Sequence, residues 1–532
     1  MTQRVTGSAD GLVMAGSSAG SVDDSELLSL SNSLHGSIKL GEETQTVTIA
    51  IEQDGYIAGE VESGPSAITL ELLGADGEPI RQIAKYVTGM TRFYLVAPYD
   101  NPVLRMTALR DARTDYQFTL RRLVPVADQV APKVTYQSPS ISRQADLIAT
   151  GGTSDGFWAA VARNGAPLIE PLDHQNVVMT FLARGLKRNG QIFGAPSSDR
   201  EFLEQLGQSD IWFKSFIVPN TTRLSYKIAR DVPEFDGDEQ ARRLALLATL
   251  QADPLNPDVW PVNAPDAYNQ KSVIELPDAP KQPGMQGTNA PAGSIDSFVF
   301  ESATLGNHRD ITLYRPHGFD PNNPENILLV LFDAKEYRDE VPTPKILDNL
   351  IADGVLPPVV VAFIANPDNA ARGHELPANP VFADVVAGDL MPLIGKKLGV
   401  DLTASRTVIA GSSYGGLASV TIALRHPDVF GSVVSMSGSF WWSPKDTPAD
   451  QNEYVSHQVA ITDAKPVRMF LTAGLFETGR MGVAGILESN RHLRDVFLAK
   501  GYDVTYREYA GGHDYLVWRG ALADGLFHLF GR

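Results

Sequence analysis

A serine between two glycines is the first feature of this chain that could do chemistry. The pattern G-x-S-x-G occurs three times, centred on Ser18, Ser154 and Ser413. Only at Ser413 does a β-branched apolar stretch, TVIAG, precede the motif while a helical pattern, GGLASVTIALRHP, follows it. A nucleophilic serine needs that strand–turn–helix arrangement, which exposes its hydroxyl and aims a helix N-terminus at the oxyanion of acyl transfer. The context therefore predicts that Ser413 is a nucleophile, with a glycine-rich nucleotide-binding turn as the alternative.

A serine nucleophile needs a base, and the base needs an acid that orients it. His513 follows the last predicted strand, VTYREYA, on a Gly-Gly turn that would leave its imidazole free to face Ser413. Glu477 lies in the loop LFETGRM after the strand RMFLTAG, which gives the chain order serine, acid, histidine of α/β hydrolases. The backbone N–H groups of Tyr414 and of Ala334–Lys335 are the predicted oxyanion-hole donors. A capping or surface histidine and a surface glutamate are the alternatives.

Several charged and aromatic residues fall in loops at the predicted carboxyl edge of the same sheet. Such side chains could contact a substrate through charge or through a flat ring. The candidates are Arg372, Glu375, Trp441, Trp442, Arg480 and Arg519. An ion pair between loops is the alternative for Arg372 and Glu375, and a pair of core aromatic residues is the alternative for the two tryptophans.

Composition restricts the classes of function. The chain has 532 residues, of which 43% are hydrophobic and 20% are charged, as in globular proteins of several domains. It has no cysteine, which excludes disulfides, thiolate metal sites and a cysteine nucleophile. Its net charge of −18 argues against binding to nucleic acid or to an anionic membrane. An anionic substrate would therefore need a local basic patch.

Hydrophobic patterning divides the chain into segments that would position these residues. From 297 onward, apolar strands alternate with helical periods, which indicates a parallel sheet covered on both faces. Short alternating strands dominate the earlier part, with GFWAAVAR among the strand candidates. The predicted fold is a multidomain chain whose C-terminal α/β-hydrolase domain follows two β-sandwich-like domains. The predicted segments are a disordered leader at 1–26, a β-sandwich module at 27–128, a second β domain at 140–235, a Pro-rich packed linker at 236–296 and the catalytic domain at 297–532.

The region from about 150 to 532 resembles the enterochelin (enterobactin) esterases of the esterase D-like group of α/β hydrolases. The motifs that carry the resemblance are DPLNP, SVIELPDAP, RGHELPANPVF, GSSYGGL, SGSFWW and GGHDYLVWRGAL. The resemblance implies a serine esterase that opens the trilactone of catecholate siderophores or their ferric complexes, with iron present only as part of the substrate and no cofactor. It also implies that Ser413 is the nucleophile and His513 the base, with Glu477 at the acid position. The chain departs from the pattern of this family at two places. Ala334 stands where relatives usually have glycine, and the β-sandwich module at 27–128 lies outside the family's usual architecture.

Other functions stay open beside this one. The first alternative is a carboxylesterase on feruloyl or acetyl esters of polysaccharides, and the second is a noncatalytic siderophore-binding protein on a hydrolase fold.

The resemblance implies a cytoplasmic location for the sequence as given, with the periplasm as the alternative if a signal peptide has been removed. The aromatic and basic content of DIWFKSFIVPNTTRLSYK predicts that the second β domain forms one wall of the pocket. A spacer or a dimer contact is the alternative role for that domain.

Overall fold

The chain divides into a first unit, Met1–Val134, and a second unit, Thr135–Arg532. The computed structural model describes residues 13–17, 26–28, 33–38, 44–108, 114–129, 134–197, 200–287, 289–401, 403–448, 451–479 and 483–532. Within these ranges, no helix has the length and apolar character needed to cross a membrane.

The first unit is an antiparallel β structure. Its strands are β1 (Val13–Ser17), β2 (Glu26–Leu28), β3 (Ser33–Ile38), β4 (Thr44–Ile49), β5 (Tyr56–Leu73), β6 (Pro79–Val96), β7 (Val103–Ala108) and β8 (Thr114–Val124). The long strand β5 pairs with β6 along one edge, while its other edge changes partner from β8 to β7. Irregular register in β5 accompanies this change, as bulges allow a strand to bend. The predicted sandwich is therefore one hydrogen-bonded network around a single core.

The prediction of a disordered leader over 1–26 is wrong for Val13–Ser17. These residues form β1, which pairs antiparallel with β4. The reason is that the free edge of β4 offers backbone donors and acceptors to a further strand. Ser18, the centre of the first G-x-S-x-G match, lies outside the described residues.

The second unit begins with a region that we call the β domain (residues 139–275). Its elements are α1 (Pro139–Ala149), α2 (Asp155–Asn164), β9 (Leu168–Pro171), β10 (Asn176–Arg184), β11 (Gly190–Phe193), β12 (Arg200–Phe202), β13 (Glu204–Gln205), β14 (Ile211–Pro219), β15 (Arg223–Arg230), α3 (Glu239–Thr249), β16 (Leu250–Gln251), β17 (Val259–Trp260) and β18 (Lys271–Glu275). The strands form two antiparallel sheets, β13-β14-β10-β9 and β12-β11-β15-β18-β17, with β16 beside β15. Phe181 from one sheet and Tyr226 from the other share a single core.

Two predictions for the β domain are wrong. The segment GFWAAVAR forms most of helix α2, because Trp158 and Val161 are buried three residues apart, as on one face of a helix. The predicted linker at 236–296 contains α3 and β18, and β18 pairs with β15 inside the sheet. Most of that segment therefore belongs to the β domain, since Ile274 fills its core.

The catalytic domain (residues 294–532) has the predicted alternation of strands and helices. Its strands are β19 (Ser294–Ser302), β20 (Asn307–Arg315), β21 (Ile327–Phe332), β22 (Val359–Ile364), β23 (Thr407–Ser412), β24 (Ser432–Met436), β25 (Arg468–Gly474) and β26 (Val504–Tyr509). Their order is β19-β20-β22-β21-β23-β24-β25-β26, and the six strands from β22 to β26 along this order run parallel.

Helices cover both faces of this sheet. They are α4 (Ala334–Asp339), α5 (Thr343–Ala352), α6 (Asn369–Glu375), α7 (Pro380–Val385), α8 (Met391–Leu398), α9 (Tyr414–Arg425), α10 (Tyr454–Ile461), α11 (Ile486–Ala499) and α12 (Tyr515–Phe530), with a π-helical stretch (Val386–Leu390) between α7 and α8. All residues of β21, β22 and β23 are buried, because a hydrophobic core lies on each side of the sheet. The carboxyl ends of the parallel strands open into the loops that carry the site.

Candidate active site

Ser413 occupies the tight turn between β23 and α9. Its backbone has φ 56° and ψ −122°, a conformation that is costly for a residue with a Cβ atom. Two hydrogen bonds hold the turn: the Ser413 N–H donates to the Met436 carbonyl at 3.0 Å, and the Ser413 carbonyl accepts from the Ser439 N–H at 3.1 Å. A Cβ atom on Gly411 would lie 2.6 Å from the backbone of Gly415. Gly411 is therefore required by the close approach of the strand and the helix.

Ser154, in the second match to the motif, has a structural role. It precedes α2 without a preceding strand, and its hydroxyl donates to Asp210 Oδ1 at 2.6 Å. The Trp158 indole donates to the same carboxylate oxygen at 2.9 Å. Ser154 thus helps to fix a loop of the β domain, as its polar context predicts.

His513 and Glu477 form a hydrogen-bonded pair. His513 Nδ1 lies 2.5 Å from Glu477 Oε1, and the carboxylate is almost fully buried, whereas the imidazole is 38% exposed. Glu477 Oε2 accepts from the Gly474 N–H at 2.5 Å and from the Ser437 hydroxyl at 2.7 Å. The Trp518 indole N–H donates to Ser437 at 2.9 Å, and its ring stands edge-on to the imidazole at 4.7 Å. The predicted base and acid are therefore brought together in a fixed orientation.

Two cavities meet at His513. One has a volume of about 510 Å³ and is lined by Ser413 and His513 together with charged residues of both signs, which are Lys271, Lys335 and Arg372 on one side and Asp333, Glu336 and Asp368 on the other. We call it the polar cavity. The other, of about 520 Å³, also reaches His513 and is lined mainly by apolar groups, among them Phe193, Trp441, Phe476, Val483 and Ile486. We call it the apolar cavity. The predicted nucleophile and the predicted base thus share one cavity, and the predicted base borders both.

The predicted oxyanion loop begins with a strained residue. Asp333 has φ 56°, in the left-handed region, and its carboxylate accepts from Asn366 at 2.6 Å and from the Arg372 guanidinium at 2.7 and 2.8 Å. Ala334 follows as the first residue of α4. The conformation that favours glycine therefore falls on Asp333, so the alanine at 334 is compatible with the loop. The N–H groups of Ala334–Lys335 and of Tyr414 lie at helix starts, where intrahelical acceptors are missing.

Arg372 lines the polar cavity, and its guanidinium forms an ion pair with a carboxylate of the same cavity. The hydrogen bonds that its guanidinium donates to Asp333 raise the pKa of that guanidinium above the usual value. The guanidinium also lies 5.9 Å from the centre of the Tyr414 ring. The predicted loop-to-loop ion pair of Arg372 is thus present, with Asp333 as the partner instead of Glu375.

Glu375 does not line either cavity, so its predicted contact with substrate is wrong. The side chain turns inward from the end of α6, where Arg309 Nη1 lies 2.9 Å from Oε2 and the Asn307 amide donates to Oε1 at 2.6 Å. Both charged side chains are at most 5% exposed. A buried carboxylate requires such partners, and they come from β20.

Trp442 and Arg519 are also absent from the two cavities. Trp442 packs against the hydrophobic core and edge-on against Tyr454 at 6.2 Å, whereas Trp441 is 43% exposed and lines the apolar cavity. Arg519 lies on α12 and donates to Gln282, and burial lowers the pKa of its guanidinium. Arg480 lies outside the described residues.

Lys271 and Phe193 line the cavities although the sequence gives no motif for either residue. Lys271 begins β18, and Phe193 ends β11, so both come from the β domain. Only the pairing of β15 with β11 and with β18 brings them to one place, and no local pattern predicts that pairing. Within the described part of the chain, no group of three or more His, Cys, Asp or Glu residues is arranged to hold a metal ion.

Comparison with known proteins agrees with this architecture. Residues 183–285 match the family model "Enterochelin esterase, N-terminal", and residues 302–529 match the model "Putative esterase". An iron(III) enterobactin esterase from Dickeya dadantii is 33% identical over 414 residues, which cover 70% of this chain and 92% of that protein. The chain belongs to the enterobactin esterase family. As a member of the enterobactin esterase family, it is an enzyme that hydrolyses esters.

Solved structures of enterobactin esterases share this fold. The ferric enterobactin esterase from Salmonella typhimurium has a TM-score of 0.59 at 28% identity and covers 71% of this chain and 98% of its own. The enterobactin esterase from Shigella flexneri, solved in the presence of enterobactin, has a TM-score of 0.56 at 28% identity with the same coverage. The likeness therefore spans the β domain and the catalytic domain together.

Proposed function

We propose that this esterase hydrolyses the trilactone backbone of catecholate siderophores, free or as the ferric complex, and so helps to release iron. The observation that carries the proposal is the pair of His513 and Glu477 beside the strained Ser413, in a chain that covers 92% of an iron(III) enterobactin esterase. Both cavities at His513 are large, as a substrate with three catechol arms requires.

The residues of the site would act in sequence. Ser413 Oγ attacks a lactone carbonyl while His513 Nε2 accepts the hydroxyl proton, which it then gives to the leaving seryl oxygen. Glu477 holds the Nδ1–H tautomer and stabilises the imidazolium. The N–H groups of Tyr414 and of Ala334–Lys335 stabilise the oxyanion. A water molecule, activated by the same imidazole, then releases the acyl group. This chemistry needs no resident cofactor, and iron enters only with the substrate.

The β domain supplies part of the substrate pocket in this proposal. Phe193 and Ala195 line the apolar cavity, where a catechol ring can stack or pack, and Lys271 lines the polar cavity. Lys271, Lys335 and Arg372 offset the three carboxylates of the polar cavity, Asp333, Glu336 and Asp368, and Lys335 would contact an anionic substrate in a chain of net charge −18. The β domain would thus contribute to the choice of substrate.

The decisive experiment is the assay of Ser413→Ala on a cyclic catecholate trilactone. We expect a loss of kcat of about 10⁴-fold or more, because the variant has no nucleophile. Ser154→Ala is the matched control, since it alters the second copy of the same motif, and its kcat should equal that of the unaltered chain. A fluorophosphonate should label the unaltered protein and Ser154→Ala but not Ser413→Ala. Undiminished turnover by Ser413→Ala would refute the mechanism, and faster cleavage of feruloyl esters than of the trilactone would favour the polysaccharide esterase.

The cytoplasmic location stays a prediction. Fractionation of cells that express the full natural reading frame, followed by detection of the protein in the cytoplasmic and periplasmic fractions, tests it directly.

A further inference from the structure

The loop that carries His513 is bonded to strand β15 of the β domain. The Arg223 N–H donates to the Ala510 carbonyl at 2.9 Å, and the Ser225 N–H donates to Asp514 Oδ2 at 2.8 Å. The Ser225 hydroxyl donates to the same carboxylate oxygen. Strand β15 therefore holds the loop on both sides of the catalytic histidine.

The loop that carries Glu477 is attached to the β domain as well. The neighbouring Phe476 packs against the core shared by the two sheets of that domain. Its N–H also donates to the Gly511 carbonyl at 3.1 Å, which joins the acid loop to the histidine loop. Each member of the acid–base pair thus stands next to a residue that contacts the β domain.

The histidine loop has little means of holding itself in place. Gly511 and Gly512 precede His513, and glycine backbones lose more freedom on ordering than any others. No heavy atom lies within 4 Å of the position that a Cβ atom would take on Gly512. External contacts must therefore supply the order, and catalysis demands it, because a displacement of about 1 Å can cost roughly 10²-fold in rate.

The two carboxylate oxygens of Asp514 accept hydrogen bonds from different elements. Oδ1 accepts from the Leu516 N–H at 3.2 Å and so caps helix α12, while Oδ2 accepts from the N–H and the hydroxyl of Ser225. Lys271 Nζ lies 3.5 Å from Oδ1. Asp514 is only 5% exposed, and neither it nor Ser225 lines the polar or the apolar cavity. The capping of α12 can therefore be separated from the bond to Ser225.

We propose that Ser225 and Asp514 are positioning residues through which the β domain holds His513 in its catalytic place. The β domain would then be needed for the chemical step on every ester, and not only for the choice of substrate. This inference rests on the proposed hydrolysis by Ser413 and His513. It differs from the pocket-wall role of the β domain, which would affect large substrates alone.

Two variants of the full chain test the inference. Ser225→Ala removes the hydroxyl donor and leaves the backbone bond. Asp514→Ser keeps one oxygen that can cap α12, since serine is a good N-cap, but that oxygen cannot also serve Ser225. Ser215→Ala is the matched control, because it removes a hydroxyl that is bonded to Thr180 at 2.8 Å in the other sheet of the β domain.

The measurement is kcat and KM on a small nitrophenyl ester, per active site titrated with a fluorophosphonate, together with the melting temperature. We expect kcat to fall about tenfold or more in both variants, with KM nearly unchanged, because the histidine is displaced while the cavity is intact. Ser215→Ala should keep its kcat. If Asp514→Ser does not fold, Ser225→Ala decides the question alone.

Unchanged kcat per titrated site in both variants, even with a lower melting temperature, would overturn the inference and leave a purely structural contact. Because the small ester is the readout, this result is independent of the siderophore. Failure of the unaltered chain to cleave the trilactone, with normal cleavage of the small ester, would refute the proposed substrate and not the positioning role.

Discussion

The two oxygens of Glu477 have different partners, and this difference makes the acid sensitive to amide substitution. Oε2 faces two donors, Gly474 N–H and the Ser437 hydroxyl, so a glutamine at 477 must turn its carbonyl oxygen toward them. Its NH₂ group then faces His513 Nδ1 and forces the proton onto Nε2, where it blocks proton transfer from Ser413.

We therefore expect Glu477→Gln to lower kcat by about 10³-fold on any ester, with a similar melting temperature. Steady-state kinetics on a small nitrophenyl ester checks this value. A decrease of less than about tenfold would show that Glu477 does not control the tautomer of His513.

Trp441 and Trp442 are neighbours in the sequence with opposite environments. Trp441 is 43% exposed at the apolar cavity, at 6.4 Å from the Tyr414 ring, whereas Trp442 packs on the core. Trp441→Ala should lower kcat/KM for the trilactone about tenfold through KM, and should leave the small ester and the melting temperature unaffected. Trp442→Ala should instead lower the free energy of unfolding by about 3 kcal/mol. Steady-state kinetics and chemical denaturation of both variants check this, and each variant is the control for the other. A loss of stability in Trp441→Ala together with a higher KM in Trp442→Ala would contradict the two roles.

The sequence is sufficient to predict that the candidate catalytic residues meet at one edge of the sheet, but not which residues surround them. Ser413, Glu477 and His513 follow predicted strands of a parallel sheet, so their meeting at one edge follows from local patterns. The same reasoning predicts a substrate contact for Glu375, because it follows a strand at the carboxyl edge of the sheet, but the sequence of α6 does not show which of its side chains face inward. Its partner Arg309 lies in β20, more than 60 residues earlier in the chain.

At the scale of elements, patterns of continuous apolar residues predicted the parallel strands correctly. The composition of the short segment GFWAAVAR, with its two aromatic residues, fits a strand and a helix equally well. Only the burial of Trp158 and Val161, three residues apart, identifies helix α2. Strand β18 was placed in a linker because prolines surround it. Its pairing with β15 is a long-range contact that local chemistry does not encode.

The ion pair between Glu375 and Arg309 connects α6 to β20 in the catalytic domain. Removing one member of a buried pair leaves an uncompensated charge, so Glu375→Ala should lower the free energy of unfolding by about 3 kcal/mol. The value of kcat/KM, measured well below the melting temperature, should stay close to that of the unaltered chain, because Glu375 lines neither cavity. Glu375→Gln should cost less, since its amide oxygen can still accept from Arg309 and Asn307. Loss of kcat/KM in both variants without a change in stability would restore Glu375 to the substrate site.

On the scale of the whole molecule, the charge of −18 opposes an anionic ferric complex. The polar cavity has three cations and three carboxylates in its lining, so each cation affects how strongly that complex is bound. Lys335 is exposed at this cavity, so Lys335→Gln should raise KM for the ferric complex several-fold and for the iron-free trilactone much less. Lys345→Gln is the matched control, because it removes an equal charge from an exposed position of α5 that lines neither cavity. Equal effects of the two variants on KM would show that only net charge matters. The two variants must be compared at one low ionic strength, because salt screens both the overall charge of the protein and the local charge at the cavity.

The position of His513 between two cavities of different chemistry also defines a shape for an inhibitor. A boronic acid bonded to Ser413 could carry a branched carbon substituent, with one arm for each of the two cavities. A polar arm with hydrogen-bond donors and acceptors would enter the side whose lining includes Lys335 and Asp368, and an aromatic arm would enter the side lined by Phe193, Trp441 and Phe476. Such a two-armed compound would discriminate this enzyme from esterases whose catalytic histidine borders a single cavity, because its aromatic arm would contact Phe193 and Ala195 of the β domain.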